Sequence, residues 1–181
     1  VCVHSEAVIL DLREFKSFPA RAQVTADPEK FSVDYDSIHS LERLTVDLEV
    51  QQAGDEYYCR GTVVAEANVE CARCLAIFPT ELTGEIDFFC RPEGWKPPGD
   101  DGVVDDEDYA HFVGGDLRAD IGELVRQAVV LAVDLKPVCR EDCRGLCPSC
   151  GCNLNESDCG CKSDVVDERW SALKDLKKKL T

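Results

Sequence analysis

The sequence has no long apolar run. Its longest uninterrupted apolar stretch extends only from Ala128 to Val133, whereas a helix that crosses a bilayer needs about 20 apolar residues. The first residues, VCVHSEAVILDLREF, also lack the basic segment and the apolar segment of a secretory signal. We therefore expect a soluble, cytoplasmic protein that does not contact a membrane.

Basic residues are scarce. The 181 residues include 20 Lys and Arg against 36 Asp and Glu, which gives a net charge of −16 at pH 7. Such a chain repels a phosphate backbone, and autonomous binding to nucleic acid normally requires a basic face. Either the charge only keeps the protein soluble, or it attracts a basic protein partner. RNA contact is expected to be indirect, with the basic tail at Lys174 and Lys177 to Lys179 as the one segment that could touch RNA.

The sequence also offers few residues for catalysis. Its three histidines, His4, His39 and His111, lie in unrelated polar surroundings. The glycines of GDDGVVDDED stand among acidic residues, whereas a phosphate-binding loop needs backbone donors and a lysine. We therefore expect a protein that acts by binding and has no catalytic residue.

Cysteine, in contrast, is abundant. Seven of the twelve cysteines fall in the run CREDCRGLCPSCGCNLNESDCGC, from Cys139 to Cys161. The spacing of Cys147 and Cys150 is typical of a zinc knuckle, because two thiolates three positions apart on a tight turn can both reach one ion. A second pair with this spacing, Cys71 and Cys74, lies upstream in CARC. Without an export signal, a thiolate-bound metal is favoured over a disulfide framework, and zinc is favoured over an iron–sulfur cluster.

Three segments predict an antiparallel meander. From Leu44 to Val50, apolar and polar residues alternate strictly, as in a half-buried strand. Tyr57 to Val69 and Phe78 to Phe89 are predicted as the next two strands, with CARC at the hairpin end between them. Val8 to Leu12 alternates more weakly and is a further candidate strand. The fold class expected is α+β, with a meander or barrel-like sheet.

Two helices are expected after the meander. Apolar residues recur at helical spacing from Leu117 to Ala132, and Asp116 stands where a helix cap would. This helix is expected to end before Pro137 and to cover the apolar face of the sheet. A terminal helix is predicted from Val165 to Leu180, after the cysteine-rich zinc module.

These patterns predict two domains. Residues 1–137 would form the α+β core, with a mobile acidic loop over residues 92–110, and residues 138–181 would form the cysteine-rich tail with its helix. The loop is either a solvated linker or a segment that attracts a basic partner through its negative charge. The candidate partner-binding residues in it are Asp105, Asp106, Glu107 and Asp108.

The order of these features resembles the YceD family of large ribosomal RNA subunit accumulation proteins. The resemblance rests on CARCL, on DLRADIGELVRQAVVLAVDLKPVC, on the cysteine run and on VDERWSALKDL. It extends from about Leu10 to Leu180 and is most specific between Leu117 and Leu176. It implies a bacterial, non-enzymatic ribosome biogenesis factor that supports accumulation of 23S ribosomal RNA. The partner implied is a basic large-subunit ribosomal protein or a pre-ribosomal particle.

The resemblance also bears on the metal. It assigns eight cysteines to the pattern of the cysteine-rich family members: Cys71, Cys74, Cys139, Cys143, Cys147, Cys150, Cys159 and Cys161. Pairing by order would place the first four around one zinc ion and the last four around a second. A single site formed by Cys139, Cys143, Cys147 and Cys150 is the main rival. One or two structural zinc ions are therefore expected.

A thiol-based redox or zinc-dependent redox-sensing protein is the alternative function. In that case Arg73, inside CARC, would lower the pKa of a neighbouring cysteine. A redox pair usually opens a helix after a strand, whereas this pair is expected to join two strands.

Overall fold

The computed structural model describes residues 8–28, 31, 33, 35–93 and 110–161. Most of the predicted acidic loop lies outside these residues, including the candidate partner-binding residues at positions 105–108. The predicted terminal helix, Val165 to Leu180, lies outside them as well.

Five strands form the main sheet, and their order in the sheet follows their order in the chain. They are β2 (Ala20–Ala26), β3 (Ile38–Ala53), β4 (Glu56–Glu70), β5 (Ile77–Pro92) and β6 (Ala110–Val113). Strands β2 to β5 pair antiparallel, whereas β6 pairs parallel to β5. The meander that the alternating pattern predicted is therefore confirmed.

The sheet is open, so the barrel-like closure expected from the sequence is wrong. Among the described strands no pairing joins β2 to β6. A separate sheet pairs β1 (Ile9–Asp11) antiparallel with β7 (Arg118–Asp120). Strand β1 confirms the weak candidate at Val8 to Leu12, and a 3₁₀ helix, Leu12–Glu14, follows it with Asp11 as its cap.

The strand β2 was not predicted. Its sequence, ARAQVTA, places half-buried residues alternately with exposed ones, but three of its four half-buried residues are alanines. Alanine gives a weak signal for a strand, because its side chain is small and its preference for strands is low. The pairing partner β3 supplies the larger side chains, such as Val46 and Leu48, that make this edge part of the core.

The helix begins later than the sequence predicted. Helix α1 spans Gly122–Leu131, whereas the apolar spacing predicted a helix from Leu117 with Asp116 as its cap. Leu117 has a φ of +49°, and the next three residues form β7 through pairing with β1. At the actual start, Asp120 Oδ1 accepts a hydrogen bond from Gly122 N at 2.9 Å.

As expected, the helix covers the sheet. Helix α1 packs on β5 and β4, and Val125 and Val129 on its inner face are buried in the core. None of the helices in the described ranges is both long and apolar enough to cross a membrane.

A glycine sets the distance between α1 and β5. A Cβ atom at Gly84 would lie 2.7 Å from the backbone oxygen of Ala128, so the substitution Gly84→Ala must push the helix off the sheet. We expect a loss of about 1–3 kcal/mol in the free energy of unfolding, as is usual for overpacking. Urea unfolding measures this, with Gly115→Ala as control because nothing lies within 4 Å of a Cβ there. Equal stability of the two variants would contradict the packing described here.

By their contacts, the described residues divide into two compact units. The core unit contains the described residues up to Ala72 and from Ala76 to Cys139, with both sheets and α1. The cysteine unit contains Arg73–Leu75 and the described residues from Arg140 onward.

Candidate metal centres

The second group of cysteines consists of Cys147, Cys150, Cys159 and Cys161. Their four sulfur atoms all lie within 4.8 Å of one another. Two thiolates on one tetrahedral zinc ion are about 3.8 Å apart, since each Zn–S bond is about 2.3 Å long. Small movements would therefore bring all four sulfurs onto a single ion.

A tight turn builds the first half of this group. Gly151, with a φ of +74°, donates its N–H to the carbonyl oxygen of Cys147 at 2.8 Å. Cys147 N in turn donates to the carbonyl oxygen of Cys152 at 2.8 Å. Glycine adopts this positive φ without strain because it has no Cβ atom.

Backbone amides of this turn favour thiolates. The N–H groups of Cys150 and Ser149 donate to the sulfur of Cys147, and they lower the pKa of that thiol to about 6. The N–H of Cys152 likewise lowers the pKa of Cys150. Such donors stabilise the charged form of a sulfur, which is the form that binds a metal.

Crowding has the opposite effect on the last cysteine of the group. Side-chain hydrogen bonds with Cys150 and Cys159 raise the pKa of Cys161 to about 12. Four sulfurs this close cannot all carry a negative charge unless a cation lies among them. The group therefore has the electrostatic character of a cation site, and a divalent metal ion would satisfy it.

The first group consists of Cys71, Cys74, Cys139 and Cys143, whose sulfur atoms also lie within 4.8 Å of one another. Cys71, Cys74 and Cys143 are buried. The backbone N–H of Cys139 donates to the sulfur of Cys71 at 3.4 Å. Both groups could therefore hold a metal ion, and in both the donors are thiols alone.

Arg73 has a structural role in this region. Its guanidinium donates to the backbone oxygens of Glu141 and Cys143, at 3.2 and 3.0 Å. Its own carbonyl oxygen accepts from Leu146 N at 3.1 Å. These bonds hold the chain around Cys143 against the CARC turn, so Arg73 fixes backbone positions beside a candidate ligand.

The structure thus brings the eight candidate ligands together in the two sets that pairing by order suggested. The rival set, Cys139 and Cys143 with Cys147 and Cys150, is not among the groups found in the described ranges. Cys152 interacts with Cys150 and Cys159 but belongs to neither group. No disulfide bond joins any of the eleven described cysteines.

Sequence reasoning missed a groove in the core unit. It has a volume of about 450 Å³, and its lining residues are Tyr35, Asp36, Ser37, Glu70, Ala72, Asp134, Leu135 and Pro137. Leu135 is 98% exposed, and Leu131 at the end of α1 is 83% exposed. Three of the described lining residues are acidic and none is Lys or Arg. No local pattern could have revealed it, since the lining comes from three separate segments.

These features define an acidic α+β protein whose cysteines form two four-thiol groups suited to metal ions. The family model for Large ribosomal RNA subunit accumulation protein YceD matches residues 59–177. The chain belongs to the YceD family, and the resemblance found in the sequence is confirmed.

Several curated proteins are similar to the chain. An uncharacterized protein of Mycobacterium tuberculosis is 29% identical over 150 residues, which cover 82% of this chain and 69% of that protein. Large ribosomal RNA subunit accumulation protein YCED homolog 1, chloroplastic, of Arabidopsis thaliana is 32% identical over 80 residues, 44% of this chain and 25% of that protein. The Zea mays protein of the same name is 42% identical over 60 residues, 33% of this chain and 20% of that protein. No solved structure matches the chain.

Proposed function

We propose that this protein is a non-enzymatic ribosome biogenesis factor that supports the accumulation of large-subunit (23S) ribosomal RNA. The observation that carries the proposal is the extent of the family match. Residues 59–177 include every cysteine of both groups, β4 from Cys59 onward, and all of β5 and α1. The two plant relatives named for large ribosomal RNA accumulation support the same role.

Zinc is the proposed cofactor, with one ion in each cysteine group. Four thiolates leave no open position for water or substrate, and this is typical of a structural zinc site. The zinc ions would then hold the cysteine unit in one conformation, and they would take no part in a reaction. The absence of disulfide bonds among the described cysteines suits a reducing compartment, so the cytoplasm is the proposed location.

The proposed partner is a basic large-subunit ribosomal protein, free or within a pre-ribosomal particle. The net charge of −16 supports this choice, because a protein of opposite charge is drawn to the chain. The groove supports it more specifically. Its exposed Leu135 and its carboxylates at Asp36, Glu70 and Asp134 fit a segment that carries an apolar residue beside lysines or arginines. RNA contact would be indirect, and the acidic residues at positions 105–108 remain a further candidate contact.

Depletion of the protein in its own host tests the function. We expect the ratio of large-subunit to small-subunit ribosomal RNA to fall, since the family role concerns the large subunit alone. The wild-type gene and the Gly115→Ala variant should restore the ratio, whereas a variant with Cys71→Ser and Cys147→Ser should not. Quantification of both RNAs by electrophoresis is the measurement. An unchanged ratio after complete depletion would overturn the proposal.

The redox alternative is supported by one observation, the low pKa of Cys147. A thiol that ionises near pH 6 is a good attacking group in disulfide exchange. Cys147 is buried, however, and three other candidate ligands surround it. Catalytic reduction of a small disulfide by the zinc-loaded protein would favour this alternative, and stoichiometric zinc release without turnover would count against it.

A further inference from the structure

A series of hydrogen bonds through three polar side chains connects the surface to a sulfur of the first group. Asn153 Nδ2 donates to Glu156 Oε1 at 2.8 Å, and Asn155 Nδ2 donates to Asn153 Oδ1 at 2.8 Å. The same Nδ2 of Asn155 also donates to the sulfur of Cys143 at 3.4 Å. The half-buried Asn155 is therefore the last link between an exposed carboxylate and a candidate metal ligand.

The chemistry of the donors and acceptors fixes the direction of each hydrogen bond in this series. An ionised carboxylate only accepts, so the amide NH₂ of Asn153 must face Glu156 and its oxygen must face Asn155. The oxygen of Asn155 accepts from Arg144 N and from the guanidinium of Arg140, each at 2.8 Å. Both of those groups can only donate. The NH₂ of Asn155 is thereby left facing Cys143, and a flipped amide would set donors against donors.

A donor that faces a sulfur stabilises the thiolate. An N–H···S bond withdraws charge from the sulfur, so the ligand stays deprotonated and correctly oriented while it binds a metal. Outer partners of this kind usually matter about 10- to 100-fold for metal affinity. Asn155 is thus placed to strengthen metal binding at Cys143 without touching the metal.

The position of Asn155 in the chain adds a second consequence. It lies in the loop between Cys150 and Cys159, so ligands of the second group bound it on both sides. Within the loop, Leu154 N donates to the oxygen of Gly145 at 2.9 Å, and Asn153 pairs with Leu146 in an isolated bridge. A metal ion in the second group would close this loop and hold Asn155 against Cys143.

We propose that Asn155 is a positioning residue through which the metal of the second group strengthens metal binding in the first. This inference rests on the proposal that both groups bind zinc. The coupling runs along the chain: the ligands close the loop, the loop places the amide, and the amide supports the thiolate. Such coupling is reciprocal, so metal in the first group strengthens binding in the second by the same factor.

Zinc release from the full-length, zinc-loaded protein tests the proposal, with a chelating indicator present in excess. Asn155→Asp keeps an oxygen for Arg140 and Arg144 but sets a second oxygen against the thiolate. We expect one of the two ions to leave about 10- to 100-fold faster than in the wild type. Asn68→Asp is the matched control, since the amide of Asn68 donates to Ser40 and Glu42 on the sheet, and its zinc release should be unchanged.

A milder variant covers the case in which Asn155→Asp does not fold. Glu156 is exposed, so Glu156→Gln should fold normally, yet a neutral amide no longer fixes the orientation of Asn153. Release should then accelerate by a smaller factor. In the cobalt-loaded variants, loss of the N–H···S bond should also shift the sulfur-to-cobalt absorption to longer wavelength. A purely structural role for Asn155 would not produce this shift.

The coupling itself is tested in a second background. With Cys159→Ser and Cys161→Ser together, the loop is open, so the remaining ion should leave faster and Asn155→Asp should add little to that rate. An equal acceleration in both backgrounds would overturn the coupling. Two ions released at wild-type rates from Asn155→Asp would overturn the whole inference while leaving the proposed function intact. Purified wild-type protein without zinc would overturn both this inference and the proposed zinc cofactor.

Discussion

Replacement of Cys147 by serine is expected to remove the zinc ion of the second group and to unfold the chain around that group. Serine cannot supply the thiolate that the backbone N–H groups of Cys150 and Ser149 stabilise at this position. The described residues of the cysteine unit include few buried apolar side chains. Metal binding in such modules is folding free energy, so the loss of one ligand costs several kcal/mol.

Two measurements follow this loss. Elemental analysis should give two zinc ions for the wild type and one for Cys147→Ser, and chelation of the wild type should release the eight thiols of the two groups. Hydrogen exchange should show lost protection from residue 147 to residue 161, while the amides of β3 and β4 remain protected. The redox alternative predicts instead that the variant stays folded and loses only turnover.

Cys152→Ser is the matched control for this experiment. Cys152 is in the same loop and close to the same sulfurs, and burial raises the pKa of its thiol to about 12. A neutral thiol outside the group is not expected to bind the ion, so this variant should keep both zinc ions. A single remaining ion in Cys152→Ser would mean that the ligand set of the second group is wrong.

The extent to which the sequence predicted the fold depends on how local each signal is. Strands β3 to β5 were predicted because large and polar residues alternate along each one, as from Leu44 to Val50. The predicted start of α1 was wrong because residues just before the helix form a strand instead. There Ala119 pairs with Leu10, a residue far away in the sequence. That pairing forms a strand from residues whose apolar spacing alone favours a helix.

The candidate site also has features that the sequence predicted and features that it did not. Cysteine spacing indicated the knuckles at CARC and CPSCG, and the resemblance supplied the full set of eight residues. The structure then divided them between two groups, which spacing alone left open. Asn155 and the groove carried no signal, since NLNESD reads as an ordinary polar spacer. Their roles come from contacts with residues such as Cys143 and Glu70 that no periodic pattern connects.

Charge reversal in the groove is expected to weaken binding of a basic large-subunit ribosomal protein about tenfold, which corresponds to about 1.4 kcal/mol. Asp134 lines the groove next to Leu135 and is exposed, so Asp134→Lys should leave the fold and the zinc content unchanged. The new lysine would repel the basic groups of the partner and would remove one attractive carboxylate. Opposed like charges at an interface are costly in this way.

Titration calorimetry with purified basic large-subunit ribosomal proteins of the same organism measures the effect. Wild-type affinity should fall as salt is raised, because charges at the surface are screened beyond about 10 Å at 0.1 M. Glu81→Lys is the matched control, since it changes the net charge equally from an exposed position on β5 outside the groove. If both variants lose the same affinity, the overall charge of the protein carries the binding. A loss of affinity in Asp134→Lys alone would place the partner in the groove. Leu135→Ser should then weaken binding even in high salt, because salt does not screen the apolar contact.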